Sequence, residues 1–171
     1  MYMPADAAMP FETDACKSFW RDYLSDLAPD HAHRTVIPDA FAFGDSAELA
    51  NELAALVLCG KKRATASLAI EFTLVNEALP RAGDVSIVLR GDQKPVAIIE
   101  RTDVKEVAFE SVDDAFAAAE GEGDGSLAYW RAAHTDYFTR VCARSGGRFH
   151  AKTQVLCQTF EVIWPKPIIR R

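Results

Sequence analysis

Between Leu58 and Ser67 the chain reads Leu-Cys-Gly-Lys-Lys-Arg-Ala-Thr-Ala-Ser, so three cations and two hydroxyls fall within ten residues. A threonine hydroxyl such as that of Thr65 is a weak nucleophile that needs a base. A lysine amine serves once its pKa falls from ~10.4 toward working pH. Desolvation and the like charges of Lys61 and Arg63 push Lys62 in that direction, whereas a carboxylate beside the ammonium opposes the shift and fixes its geometry. The same cluster has a purely structural reading, because cations at a helix C-terminus complement the helix dipole. Spacing alone leaves both readings open.

The run lies at a seam between two elements. Leu49, Leu53, Leu56 and Val57 form one helical face, and Gly60 closes that helix. A period-two pattern then begins, with Thr65 and Ser67 on one face of a short strand and Ala64, Ala66 and Leu68 on the other. Lys62 has the parity of the second set. It meets Thr65 only if the strand begins after Lys62 and the turn out of the helix re-aims the lysine.

The remaining elements follow from similar patterns. From Glu12 to Leu27 the apolar positions Ala15, Cys16, Phe19, Trp20, Tyr23 and Leu27 mark an amphipathic helix, preceded by a loose end at residues 1–10. His31 and His33 have no third ligand nearby and read as solvated loop histidines. An alternating apolar piece covers Ala40 to Gly44, and Asp45, three residues before Glu48, is the expected cap of the next helix. The stretch Glu71 to Leu79 is ambiguous. Val85, Ile87 and Leu89 alternate as a strand, Gly91-Asp92-Gln93-Lys94 is a hairpin-like loop, and the returning strand starts at Val96 and runs on toward Phe109. A short acidic helix is expected from Ser111 to Ala119, ending in a loop in which Glu120, Glu122 and Asp124 alternate with glycines without the ligand spacing of a calcium loop. Ser126 caps a helix whose stripe is Leu127, Trp130, His134, Tyr137, Phe138 and Val141, with His134 read as a satisfied core or interface histidine rather than a catalytic one. A last strand covers Thr153 to Trp164. Without regular βαβ alternation, the fold class is α+β, a largely antiparallel sheet or small barrel with helices around it.

Composition narrows the function classes. A length of 171 residues favours one domain, and an apolar fraction of 49% with 26% charged residues is that of a soluble globular chain. No apolar run nears the ~20 residues that span a bilayer, and the N-terminus lacks the order of a signal peptide, so a cytoplasmic protein without a membrane partner is expected. Cys16, Cys59, Cys142 and Cys157 are widely spaced and read as buried thiols. A net charge of -6 argues against coating long nucleic acid by bulk electrostatics, which leaves Lys61, Lys62 and Arg63 as the best local basic site. Gly60-Lys61 lacks the upstream glycine and strand of a phosphate loop, and no GxSxG, HExxH or paired CxxC occurs.

The run Gly60-Lys61-Lys62-Arg63-Ala64-Thr65 resembles the GxKxxT motif of the ASCH domain family, a branch of the PUA-like barrels associated with RNA. Phe43-Gly44-Asp45, the helix leading into the motif, Glu120-Gly121-Glu122-Gly123-Asp124, Ser126-Leu127, Tyr129-Trp130-Arg131 and His134 are similar to longer bacterial members over residues 40–164. Many members carry an arginine two positions after the threonine. Here that position is Ser67.

The resemblance implies a small mixed or antiparallel PUA-like β-barrel surrounded by helices over residues 39–165. Residues 1–38 would form a tail and helix packing on it, and residues 166–171 a second tail. It also implies a cleft facing a nucleotide or RNA, to which Phe43, Asp45, Lys61, Arg63, Ser67, Ser126 and Trp130 are candidate contributors. One group of members are amidohydrolases that remove the acetyl group of N4-acetylcytidine with a lysine, a threonine and a glutamate, which fall here on Lys62, Thr65 and Glu120. Another type is a ribonuclease relying on the motif lysine and hydroxyl residues, for which Ser126 is a candidate. Three readings follow: a hydrolase of acylated cytidine needing no metal or other cofactor, an RNA-binding protein or ribonuclease, and a non-catalytic regulatory domain that binds a nucleotide ligand.

Overall fold

Among the described residues, each of two compact units holds an apolar core. The structure, a computed structural model, describes residues 13–165; the loose end expected at residues 1–10 and the tail expected at 166–171 lie outside them. One unit comprises the chain up to Gly60, Gly83–Glu100 and the chain from Glu161, and the other comprises Lys61–Ala82 and Arg101–Phe160.

In the first unit, α1 (Asp14–Ser25) starts at Thr13, whose hydroxyl oxygen accepts from the Cys16 amide at 3.2 Å. Its buried stripe of Cys16, Trp20 and Tyr23 packs with Ala40 and Ala42 of β1 (Asp39–Ala42), with Val85, Ile87 and Leu89 of β3 (Val85–Leu89), and with Ile98. Alternation predicts Val85, Ile87 and Leu89 correctly, but all five residues of β3 are buried. Ser86 sits on the opposite face and is satisfied by donating to the Asp39 carboxylate. β1 pairs with β3 in parallel, and β3 pairs antiparallel with β4 (Pro95–Ala108) through the expected hairpin. The sheet is therefore mixed, because the chain between β1 and β3 is long enough to cross over.

α2 (Ala47–Leu58) is capped by Ser46 rather than Asp45. Ser46 has the extended backbone a cap requires, and its hydroxyl oxygen accepts from the Leu49 amide at 3.2 Å. The helix ends at Leu58, and Gly60 follows at a φ of +86°, a left-handed turn that suits glycine. Of the two loop histidines, His33 departs from the solvated reading: its Nδ1 lies 2.6 Å from the Tyr23 hydroxyl. Cys59 departs from the buried-thiol reading and is exposed, while Cys157 is half-buried.

The second unit holds β2 (Ala64–Ser67), α3 (Ala69–Leu74), α4 (Asp114–Glu120), α5 (Leu127–Arg144), the continuation of β4, and most of β5 (Gln154–Trp164). Its core joins Leu68, Phe109, Ala117, Trp130, Phe138 and Val155. The ambiguous stretch after Glu71 resolves into α3. The Glu71 carboxylate accepts from the Leu68 amide at 2.7 Å and stabilises this short helix at its start. Ser126 caps α5 as expected, its hydroxyl oxygen accepting from the Tyr129 amide at 3.1 Å.

The sheet runs in the order β1-β3-β4-β5-β2, leaving β2 at an edge. β2 lies antiparallel to β5, with Thr65 opposite Gln158 and Ala66 opposite Cys157. No helix among the described residues is long and apolar enough to cross a membrane.

Replacing the observed cap tests the α2 assignment. Ser46→Ala is expected to cost about 1 kcal/mol in urea unfolding, the usual loss when a serine cap is removed. An unchanged midpoint would return the capping role to another residue.

Candidate active site

The side chain of Lys62 is fully buried, and its Nζ donates to Glu120 Oε2 at 2.9 Å and to Glu122 Oε1 at 2.5 Å. The local chain course explains how two acids reach one lysine. α4 ends at Gly121, whose φ of +65° is left-handed; a Cβ there would lie 2.5 Å from the Lys61 carbonyl oxygen, so only glycine permits the approach. The Arg63 amide donates to the Ala119 carbonyl at 2.7 Å, which ties the same two segments together. Glu120 and Glu122 flank Gly121 and converge on Lys62.

Glu120 is held from its other side. Its Oε1 accepts from the Trp130 indole N–H at 2.9 Å and lies 3.5 Å from His134 Nε2. Trp130 stacks on His134 with centroids 4.2 Å apart and on Phe109 at 5.2 Å, which fixes the direction of its indole N–H. His134 Nδ1 sits 2.9 Å from the Trp130 carbonyl oxygen. A carbonyl only accepts, so Nδ1 carries the hydrogen and the Nε2 edge faces the carboxylate. The core reading of His134 is thus incomplete, since it also orients toward Glu120.

Charge follows from this packing. Burial pulls the Lys62 ammonium down, but Glu120 and Glu122 together outweigh it and hold the group above the ordinary lysine range. Burial pushes the Glu120 carboxyl up, but Lys62 and then His134 outweigh it and hold the group below the ordinary carboxylate range. The choice that spacing left open therefore falls to the carboxylates: Lys62 is a cation in the ligand-free protein, with no like-charge effect of Lys61 or Arg63 large enough to reverse it. With both partners ionised the cluster carries a net negative charge, which repels phosphate.

The other expected site residues belong to several different elements. β2 starts at Ala64, after Lys62, as convergence of Lys62 and Thr65 requires. Within β2 the register puts Thr65 and Ser67 on the face of Gln158, and Ala64 and Ala66 on the face of Cys157. The Thr65 hydroxyl makes no side-chain hydrogen bond among the described residues. Lys61 is exposed, and Arg63 is half-buried with its guanidinium donating to the Lys62 carbonyl at 2.7 Å. Ser126 is occupied as the α5 cap. Phe43 and Asp45 belong to the first unit, where Phe43 is buried edge-on against Phe41 at 4.9 Å. Sequence reasoning missed Glu122. Its only signal was the alternation of acids and glycines, which reads as an ordinary loop until Gly121 is seen against Lys61.

Cys157 lines a shallow cavity of about 220 Å³ with Val107, Asp113, Phe116 and Thr159. Burial, Glu120 and Asp113 push its thiol up to about 12, so it is not a nucleophile at neutral pH.

The mixed sheet with its surrounding helices is the α+β, PUA-like fold. The ASCH domain model matches residues 39–164, and the chain belongs to that family, which is associated with RNA binding. Among solved structures, the chain is similar to the ASCH domain from Lactobacillus crispatus JV V101, with 32% identity, a TM-score of 0.80, and coverage of 95% of this chain and 98% of that one. It is also similar to protein EF3133 from Enterococcus faecalis V583, with 35% identity, a TM-score of 0.75 and coverage of 86% of each chain. No curated protein matches the chain.

The pair sets a two-sided pH dependence. A carboxyl held low contributes stability that is present above its unfolded value of ~4.3 and is lost as pH falls through its folded value. An ammonium held high contributes stability that is present below ~10.4 and is lost as pH rises through its folded value. Glu120→Gln should therefore flatten the acid limb of stability against pH. Lys62→Met alone should cost about 3–5 kcal/mol, because it strands a buried carboxylate, and adding Glu120→Gln should recover part of that loss. Strict additivity of the two changes would show that the pair is not coupled.

Proposed function

We propose that this chain is a hydrolase of N4-acylated cytidine, acting through Lys62, Thr65, Glu120 and Glu122. The observation that carries the reading is the buried ammonium clamped by two carboxylates, on a lysine three residues before Thr65 in the chain. Buried ion pairs of this kind seldom add net stability, and perturbed titrating groups gather where chemistry occurs. The negative balance of the cluster favours a neutral nucleobase over a phosphate backbone.

Because Lys62 is held as a cation, the role of proton acceptor passes to Glu122, the member with some solvent contact at 19% exposure. Thr65 Oγ1 attacks the acyl carbon and gives its proton to Glu122. Lys62 donates a proton to N4 as the carbon–nitrogen bond breaks and cytidine leaves. A proton returns from Glu122 to Lys62 along their hydrogen bond. Water then hydrolyses the threonine ester, releasing the acid and restoring the hydroxyl. Glu120 positions Lys62 throughout.

An RNA-directed reading rests on exposed Lys61 and half-buried Arg63. Incubation of the full chain with N4-acetylcytidine and, separately, with a structured RNA divides the two. Cytidine release is expected, lost in Thr65→Ala, partly kept in Thr65→Ser, and slowed about 10²–10⁴-fold in Glu122→Gln. RNA fragments without cytidine release would favour the ribonuclease, and neither product would overturn hydrolysis.

A further inference from the structure

The face of β2 that carries Thr65 also carries a chain of buried polar groups that the mechanism above leaves unused. Arg101 Nε donates to Gln158 Oε1 at 2.8 Å, and Gln158 Nε2 donates to Ser67 Oγ at 2.9 Å. All three side chains are at least nine-tenths buried. Thr65 stands directly opposite Gln158, and Ser67 is two residues further along the same face.

Hydrogen-bond direction is forced along this chain. A guanidinium only donates, so Gln158 must present its oxygen to Arg101 and its amide N–H to Ser67. Ser67 Oγ is thereby fixed as an acceptor, and its own hydrogen has no acceptor among the described residues. A buried hydroxyl with an unspent hydrogen is costly unless something receives it. Two residues along a strand span about 6.6 Å. A carbonyl lying along the strand, in attack range of one hydroxyl and accepting from the next, spans about 7 Å.

We infer that Ser67 is the hydrogen-bond donor to the carbonyl oxygen of the substrate's acyl group, with Gln158 and Arg101 positioning its hydrogen toward Thr65. This rests on the reading of Thr65 as nucleophile and adds the group that stabilises the negative charge developing on oxygen. Gln158 and Arg101 are positioning residues, since neither touches substrate.

The test is the near-isosteric Gln158→Glu, in which a carboxylate still accepts from Arg101 but cannot donate to Ser67. The serine then turns its hydrogen inward. With N4-acetylcytidine, kcat is expected to fall about 10²-fold with KM changed by less than about 2-fold, as when an oxyanion donor is lost. Ser67→Ala should fall equally, Ser67→Thr should recover much of the rate, and Ser67→Ala combined with Gln158→Glu should be no slower than either alone. Thermal melts of each variant report folding separately from kcat. If the wild type turns over and Thr65→Ala does not, but folded Gln158→Glu and Ser67→Ala keep kcat within about 2-fold, the inference fails and the hydrolase reading stands. A wild-type chain that releases no cytidine overturns both.

Discussion

The ammonium of Lys62, taken out of water and held between Glu120 and Glu122, is the interaction on which the second unit depends. Several otherwise unrelated features serve it. Gly121 adopts a left-handed conformation so that the end of α4 can meet the Lys61 backbone, Arg63 bonds to Ala119, and Trp130 and His134 hold the far side of Glu120. Removing a charge from water is costly, and apolar side chains of similar volume would often do as well for stability alone. What the arrangement supplies instead is a fixed, dry cation beside a carboxylate with partial solvent contact, a pairing suited to moving a proton.

The second constraint is the register of β2 against β5. Because side chains alternate, a single pairing decides that Thr65, Ser67 and Gln158 share one face while Ala66 and Cys157 share the other. The second face is anchored by apolar packing around Val155, Trp130 and Phe138, each worth roughly 1.5–3 kcal/mol of burial. That packing makes a one-residue slip prohibitive. β2 itself lies at an edge of the sheet.

Local patterns in the sequence were legible where local physics decides the outcome. Helical stripes revealed α1, α2 and α5, alternation revealed β3, a run rich in Val, Phe, Ile and Thr marked β5, and Ser126 and Gly60 marked helix ends because capping is a matter of a few residues. The motif Gly60 to Thr65 and the lysine within it were also legible. Asp45 and Ser46 are both capping types, and only backbone conformation separates them. The parallel partner of β1 and the charge of Lys62 were beyond local reading. Glu120 and Glu122 lie 58 and 60 residues from Lys62, and their approach depends on tertiary packing. The polar chain from Arg101 through Gln158 to Ser67 was hidden for the same reason, since it crosses three strands.

Whether the two carboxylates overcome burial and keep Lys62 charged is read by following its Nζ resonance through a pH titration of the ¹⁵N-labelled protein. The ammonium is expected to persist above the ordinary lysine value of about 10.4. Loss of the proton near neutral pH would contradict it, because burial would then have won over Glu120 and Glu122.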